Sequence, residues 1–340
     1  MHILDAVIAL LLFLLGLVVS YTLTPIVAKF NWLIGLRGID VHKKKRPTLP
    51  ESGGLSLLIS SILLLPLILL FKPEYTIQTL ILICTCSFTG LVGYLDDLKR
   101  LDAILKTALT LIAIAPILLL GVFKPHPYLP FIGKTRLTII YSILLLFAIA
   151  VPSNAFNMLD VYNGVLPAST LLMFSSLLIA SILAYHSGVV GLFPFYALIL
   201  IIGILLGYYP YNKYPAKVFN GDVGSLFLGA YFGVLAVLGR LEVVAITAML
   251  PCIMNSFHIL RSIGGLKERR QIRNRPVLVD YERELLIQNK ARDAPLTLAN
   301  LLLVKGPLKE HEIASCYTIL SMISFILALI VAILTYPPVI

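Results

Sequence analysis

Charge is scarce in this sequence. Only 13% of its 340 residues are Asp, Glu, Lys or Arg, against 59% hydrophobic, and the mean hydropathy is +0.95. A soluble domain of this length needs far more polar surface, so a water-soluble globular protein is excluded. Cysteine is scarce too. Cys84, Cys86, Cys252 and Cys316 lie inside apolar stretches, with no CxxC and no Cys/His ligand spacing. That pattern argues against a zinc site or a disulfide framework and leaves small buried hydrophobes. The first apolar run lacks a preceding basic flank and a small-residue cleavage site, so it is expected to be a retained helix and not a signal peptide.

What is abundant is long apolar runs. Ten can be placed, near 4–28, 53–71, 76–95, 104–122, 137–156, 165–185, 190–209, 223–239, 243–262 and 313–335. Runs of this length span bilayers, where every backbone group must be paired internally and helices satisfy that demand. The expectation is an all-α integral membrane protein: one domain over 1–340, a bundle of ten transmembrane helices with catalytic loops on one face. The loop 263–312 is the longest polar stretch.

The net charge of +10 raises the question of nucleic acid, but the placement of the charges argues against it. Ten helices put loops on alternating sides. Every basic residue except Lys72, Lys124, Lys134, Arg136 and Arg240 falls on the side that carries loops 29–52, 96–103, 157–164, 210–222 and 263–312. The positive-inside rule makes that side cytosolic and both termini extracytosolic. Of the acidic residues, only Asp5, Glu74 and Glu242 lie on the other side. Charge of both signs therefore gathers on one face of an apolar bundle, where a polar site would be built.

Four segments on that face carry chemistry. Asp96-Asp97 closes the third helix, at the negative end of its dipole, and the two carboxylates repel each other. The pair invites a cation, either Mg²⁺ or a basic side chain; the bland alternative is a solvated pair bridged to Lys99 and Arg100. Asn154, Asn157 and Asp160 recur every three residues at the end of the fifth helix and can share a face, ahead of an Asn163-Gly164 turn. Amides and a carboxylate so spaced suit a hard cation or a base edge, or else helix–helix hydrogen bonds. Val218-Phe219-Asn220-Gly221-Asp222-Val223-Gly224-Ser225 opens the eighth helix, with Asp222 either an N-cap or a ligand and Phe219 either a stacking ring or an interfacial anchor. Finally, Asp40-Val-His-Lys43-Lys44-Lys45-Arg46 and Lys267-Glu-Arg269-Arg270-Gln-Ile-Arg273-Asn274-Arg275 supply basic loops, suited to anionic substrate or to lipid headgroups. Magnesium commonly binds one or two carboxylates plus substrate phosphate, and phosphoryl transfer needs little beyond positioning and charge neutralisation.

Together these residues resemble the polyprenyl-phosphate N-acetylhexosamine-1-phosphate transferase superfamily of ten-helix membrane enzymes. The resemblance covers nearly the whole chain. It rests on Asp96-Asp97, on the Asn-rich turn at 154–164 and on 218–225. Tyr214-Pro-Ala-Lys-Val-Phe219-Asn-Gly-Asp222 and Leu296-Thr-Leu-Ala-Asn-Leu-Leu-Leu-Val-Lys-Gly306-Pro307-Leu-Lys-Glu310 are similar to its eukaryotic and archaeal dolichyl-phosphate branch. The resemblance implies that Asn157 and Asp222 hold Mg²⁺ (or Mn²⁺), and that Asp96, Asp97 and Asp222 are catalytic. It implies that Lys106 contacts phosphate and that Asn163 and Phe219 hold uracil. Gly53 and Gly54 follow a Pro-Glu-Ser segment that lines the site. Asp40, Arg273, Asn274 and Arg275 complete the substrate-binding set. Three positions depart from the branch: Asn274 replaces a histidine, Ala103 a tryptophan, and Ile39 a polar residue.

The expected reaction is transfer of GlcNAc-1-phosphate from a UDP-sugar, UDP-GlcNAc, to dolichyl (polyprenyl) phosphate, giving dolichyl-diphosphate-GlcNAc and UMP. This would be a first membrane step of N-glycan assembly. It would take place at the cytosolic face of a cell membrane in a prokaryote or archaeon, or of the endoplasmic reticulum in a eukaryote, and family members imply a homodimer. The alternatives are another UDP-sugar or lipid, or a secondary transporter. A transporter would place its ionisable groups near the bilayer midplane, whereas here they lie at helix ends.

Overall fold

The computed structural model describes residues 2–267 and 271–337. Arg269 and Arg270, part of the basic loop noted above, lie outside the described residues. The chain is helical, with three short two-stranded hairpins and no larger sheet among the described residues. The helices are α1 (Ile3–Leu33), α2 (Leu55–Leu64), α3 (Leu67–Phe71), α4 (Thr76–Lys99), α5 (Ala103–Ile112), α6 (Ala115–Leu120) and α7 (Thr138–Leu159). After these come α8 (Val165–His186), α9 (Phe193–Asn212), α10 (Gly221–Leu238), α11 (Glu242–Ala248), α12 (Leu250–Ile263), α13 (Leu298–Leu302) and α14 (Glu310–Thr335).

The bundle is organised around α10. Every residue of it from Val223 to Val237 is buried, as a helix that is apolar on all sides must be when it sits at the centre. It packs chiefly against α4 and α7, while α9 is clasped by α1 and α8 packs on α14. The outer helices α1 and α14 leave large apolar side chains such as Leu10, Val18, Ile326 and Ile330 about half exposed. Such a surface is at home against lipid tails.

Eight helices are long and apolar enough to cross a membrane among the described residues, and α11 with α12, bent by 66°, makes up to nine. The chain is thus a multi-pass integral membrane protein, but the expected count of ten is not established. Two runs fall short for stated reasons. The stretch 55–71 is short and interrupted at Leu65-Pro66 between α2 and α3. The run 243–262 is broken at Met249, where Pro251 in the first turn of α12 has no N–H with which to continue α11.

The hairpins lie in the loops. β1 (Arg37–Ile39) pairs with β2 (Thr48–Pro50), β3 (Tyr128–Leu129) with β4 (Gly133–Lys134), and β5 (Val277–Asp280) with β6 (Leu285–Gln288). The long polar loop 263–312 therefore carries the β5–β6 hairpin and the short helix α13.

Candidate active site

The site is assembled where the end of α4, the start of α5, the end of α7 and the start of α10 meet. Two glycines make that meeting tight. A Cβ at Gly93 of α4 would fall on the backbone of Asp222 and Val223, and one at Gly54 would fall on Gly224. The Cα–H of glycine lets α4 approach the first turn of α10 directly, which brings Asp96 and Asp97 beside Asp222. The segment 50–54 then zips onto 219–220: Phe219 N donates to Pro50 O (2.9 Å), Gly53 N to Phe219 O (2.8 Å) and Gly54 N to Asn220 O (2.9 Å).

The two neighbouring aspartates have different surroundings. Asp97 caps α10: its Oδ1 accepts from Asp222 N (2.9 Å), and its Oδ2 from Val223 N (3.3 Å) and Ser52 Oγ (2.5 Å). A carboxylate on the free N–H groups of a helix start satisfies donors that would otherwise be orphaned and opposes the dipole. Asp96 instead turns to Lys106 on α5, whose Nζ lies 2.7 Å from Asp96 Oδ2 and 2.6 Å from Asp222 Oδ2. Neither aspartate pairs with Lys99 or Arg100, so the solvated-pair alternative does not describe this structure. Asp222 is not an N-cap either. It sits in the first turn of α10, after Asn220 at the cap, and its carboxylate bridges to Lys106.

These groups form one wall of a cavity of about 720 Å³. Its polar wall includes Glu51, Asp96, Asp97, Arg100, Lys106, Asn157 and Asp222, and its apolar wall Ala103, Ile259, Leu260, Ile263 and Leu266. Asn157 donates its amide to Ser225 Oγ (2.9 Å), which leaves its carbonyl oxygen as an acceptor. A smaller pocket of about 170 Å³ adjoins, sharing Glu51, Asn157 and Asp222 and adding Asp160, Asn163, Phe219 and Asn220. The Phe219 ring lies against Gly38 of the β1–β2 hairpin, where a Cβ would crowd it at 2.8 Å.

Behind the small pocket, Asn163 is held by a network. Its Nδ2 donates to Asp40 Oδ2 (3.0 Å) and its backbone N to Glu310 Oε1 (3.0 Å). Lys43 lies between the two carboxylates, 3.1 Å from Asp40 and paired with Glu310. Burial disfavours its ammonium, but the hydrogen bond and charge of Glu310, with Asp40, prevail and raise its pKa. Asp40, His42 and Glu310 converge closely enough to hold a metal ion, yet the Lys43 ammonium already supplies the cation there. Asp40 lines neither pocket and acts on the site through Asn163.

The three residues of 273–275 separate. Arg275 lines the large cavity. Arg273 is exposed and is not among the cavity walls. Asn274 donates to Asp293 Oδ1 (2.7 Å) within its own loop. Within the Asn-rich segment, α7 ends at Leu159, so Asp160 caps the helix instead of extending its face. Asn154 reaches the cavity wall and donates to Thr110 Oγ1 (3.0 Å) and Ala150 O (2.8 Å).

Two site groups were not singled out from the sequence, Asn220 and Glu310, whereas Glu51 and Ser52 belong to the Pro-Glu-Ser segment that the resemblance placed along the site. Glu51 lines both pockets, and its pKa is raised by burial and by the charge of Asp222. Asn220 donates to Asp160 Oδ2 (3.0 Å). Desolvation, helped by the charge of Asp222 and opposed by that hydrogen bond, pushes Asp160 up to about 7. Glu310 opens a helix over a hundred residues away from Asp40 and Asn163, and no local pattern marks it.

The chemistry of the donor set fits a hard divalent cation. Asp96, Asp222 and Asn157 can ligate through oxygen, and two carboxylates, Asp96 and Asp222, share a single ammonium with Asp97 next to them at the start of α10.

Comparison with known proteins agrees with the geometry. The model of glycosyl transferase family 4 matches residues 79–240, a span that includes α4, α5, α7 and the first turn of α10. A phospho-N-acetylmuramoyl-pentapeptide-transferase of Staphylococcus saprophyticus is 31% identical over 67% of this chain and 75% of its own length. A candidate UDP-N-acetylglucosamine–dolichyl-phosphate N-acetylglucosaminephosphotransferase of Saccharolobus solfataricus is 26% identical over 88% of this chain and 89% of its own. A candidate glycosyltransferase of Methanocaldococcus jannaschii is 25% identical over 93% and 96%. The chain therefore belongs to glycosyl transferase family 4, the superfamily of membrane enzymes that transfer hexosamine 1-phosphates to polyprenyl phosphates, together with its archaeal branch.

Proposed function

We propose that the chain transfers GlcNAc-1-phosphate from UDP-GlcNAc to dolichyl (polyprenyl) phosphate at the cytosolic membrane face, releasing UMP. The observation that carries this reading is the Asp96–Lys106–Asp222 bridge in a cavity that Ile259, Leu260, Ile263 and Leu266 also line. Phosphates enter the polar side, and the first isoprene units of the acceptor lie along Ile259, Leu260 and Ile263.

An oxygen of the lipid phosphate attacks the β-phosphorus of the donor, and the bond from that phosphorus to the bridging oxygen of UMP breaks. The lipid phosphate is already anionic at neutral pH, so no strong base is required. Lys106 exchanges carboxylate for phosphate contacts and offsets charge, with Arg275 on the cavity wall. Asp222 and Asn157, with Asp96 beside them, would hold Mg²⁺, which when bound neutralises the diphosphate and the leaving UMP. Asp97 positions these groups by fixing the start of α10. The adjoining pocket takes the nucleoside: Phe219 stacks on uracil and Asn163, braced by Asp40 and Glu310, hydrogen-bonds its edge.

The departure at Ala103 lies in the cavity wall and that at Asn274 is turned towards Asp293, so the donor sugar needs direct comparison. Single-turnover transfer with β-labelled UDP-GlcNAc, dolichyl phosphate and Mg²⁺ tests the proposal, with other UDP-sugars and polyprenyl phosphates in parallel. Label should enter the lipid phase and fail to do so with EDTA or Asp222→Ala. Label that enters lipid only from a different sugar would reassign the donor; label that stays aqueous with every pair refutes the reading.

A further inference from the structure

A third cavity, of about 740 Å³, lies on the far side of Asn163 from the nucleoside-sized pocket. It is a groove where the end of α9, the start of α8 and the start of α14 meet. Lys213, Tyr214 and His311 line its polar end, and Ser315, Thr318 and Ile319 continue down α14. No acidic side chain lines it. Lys213 and His311 are exposed, and neither is in an ion pair among the described residues. Glu310, next in sequence to His311, is buried and turned away to Lys43. Below Ile319, α14 presents Met322, Ile323 and Ile326, each roughly half exposed. The groove thus joins a basic end, with no carboxylate in its lining, to an exposed apolar surface at the end of the α14 span.

We propose that this groove binds the headgroup of an anionic phospholipid, its phosphodiester between Lys213 and His311 and an acyl chain along α14. Charge complementarity selects the headgroup, and continuity with the exposed face of α14 selects a lipid over a soluble anion. The site is wired to the catalytic side. Tyr214 packs on His311, with ring centroids 5.4 Å apart, and Lys43 Nζ stands 4.2 Å from the centre of the Tyr214 ring. Lys43 pairs with Asp40, which accepts from Asn163. Resting on the nucleoside assignment proposed above, lipid in the groove steadies Asn163 and lowers the KM for the donor.

The test uses the full-length protein in nanodiscs of phosphatidylcholine with a minor fraction of phosphatidylglycerol. Lipid retained on release is read by native mass spectrometry for wild type and for the Lys213→Gln, His311→Gln double variant. A basic group near an anionic headgroup contributes roughly fivefold, so the variant should lose the preference for phosphatidylglycerol by about fivefold or more. Its melting temperature in phosphatidylcholine alone should match wild type. Equal retention by the two proteins, or no preference in wild type, overturns the proposal. Displacement of the lipid by millimolar inorganic phosphate would make it a soluble-anion site, and a lipid-free dimer disrupted by the variant would put a second copy of the chain there; either overturns it. A donor KM that ignores phosphatidylglycerol while retention persists overturns the coupling alone. Because retention is read without turnover, failure of the groove and failure of the proposed reaction are distinguishable.

Discussion

Replacing Lys106 with methionine removes one ammonium and keeps the length of the side chain. In the native site that ammonium lies 2.7 Å from Asp96 and 2.6 Å from Asp222, and Lys106 is buried. Breaking a buried pair by deleting one partner costs about 3–5 kcal/mol, because the remaining charge is left uncompensated. The Asp222 side chain is 27% exposed, so water recovers part of this and the lower end, about 3 kcal/mol, applies. For a chain of this size roughly 2 °C of melting temperature accompanies each kcal/mol, so a fall of about 6 °C is expected. Carboxylates that have lost their ammonium should take a divalent cation more strongly. Millimolar Mg²⁺ should therefore restore more of the melting temperature in Lys106→Met than in wild type, and Lys106→Met with Asp96→Asn should be more stable than Lys106→Met alone. Single-turnover transfer should fall by about 10²–10³, the usual loss when a charge-stabilising donor is removed. Unchanged melting together with unchanged turnover would refute the bridge and with it the centre of the site.

Four further outcomes follow from the same structure. Asp97→Asn cannot accept from both the Ser52 hydroxyl and the Asp222 and Val223 amides without one mismatch, so it should lower stability by about 2 kcal/mol and slow transfer while both limbs of the pH profile are kept; a profile that loses a limb would make Asp97 a general base instead of a positioning residue. Gly93→Ala forces α4 away from the first turn of α10 and should cost about 1–3 kcal/mol with loss of turnover, read by melting and transfer assays. Asp160 has a folded pKa raised to about 7, above its unfolded value, so its ionisation costs the fold stability as pH rises through that range. Asp160→Asn avoids that cost, and its stability relative to wild type should improve from acidic to mildly alkaline pH; a pH-independent difference would contradict the burial argument. At the opposite face, Tyr141→Phe removes the 2.6 Å bond to Glu242 and should lower stability by about 1–3 kcal/mol, read by melting, while leaving donor KM unchanged, since it lies at the other end of α7 from Asn157.

Much of the site was legible because several of its parts are local. Asp96-Asp97, the Asn154–Asn163 segment and Phe219–Asp222 are short runs whose residue types suit cations, phosphates and bases, and all three meet around the cavities. Lys106 entered only through family resemblance, since a lysine in an apolar helix start carries no signal of its own. The sequence did not distinguish the two aspartates, which differ by about 100° around a helix. That rotation sends Asp97 to the start of α10 and Asp96 to Lys106. Arg273 and Arg275 also looked equivalent in sequence, yet of the two it is Arg275 that lines the cavity.

Hydropathy by itself determined that the chain is a multi-pass membrane protein, and the distribution of charge determined which helix ends carry the polar chemistry. Both follow from transfer free energies that depend on composition along the chain and little on packing. The number of full spans was not determined in that way, because Pro66 and Pro251 break runs whose hydropathy is continuous. Only the tertiary structure decided the partners. Gly93 and Gly54 allow backbones to touch, Lys106 bridges residues 96 and 222, and Glu310 braces Asn163 directly and Asp40 through Lys43. Such contacts join positions more than a hundred residues apart, and their strength depends on distance and burial, which the order of residues does not encode locally.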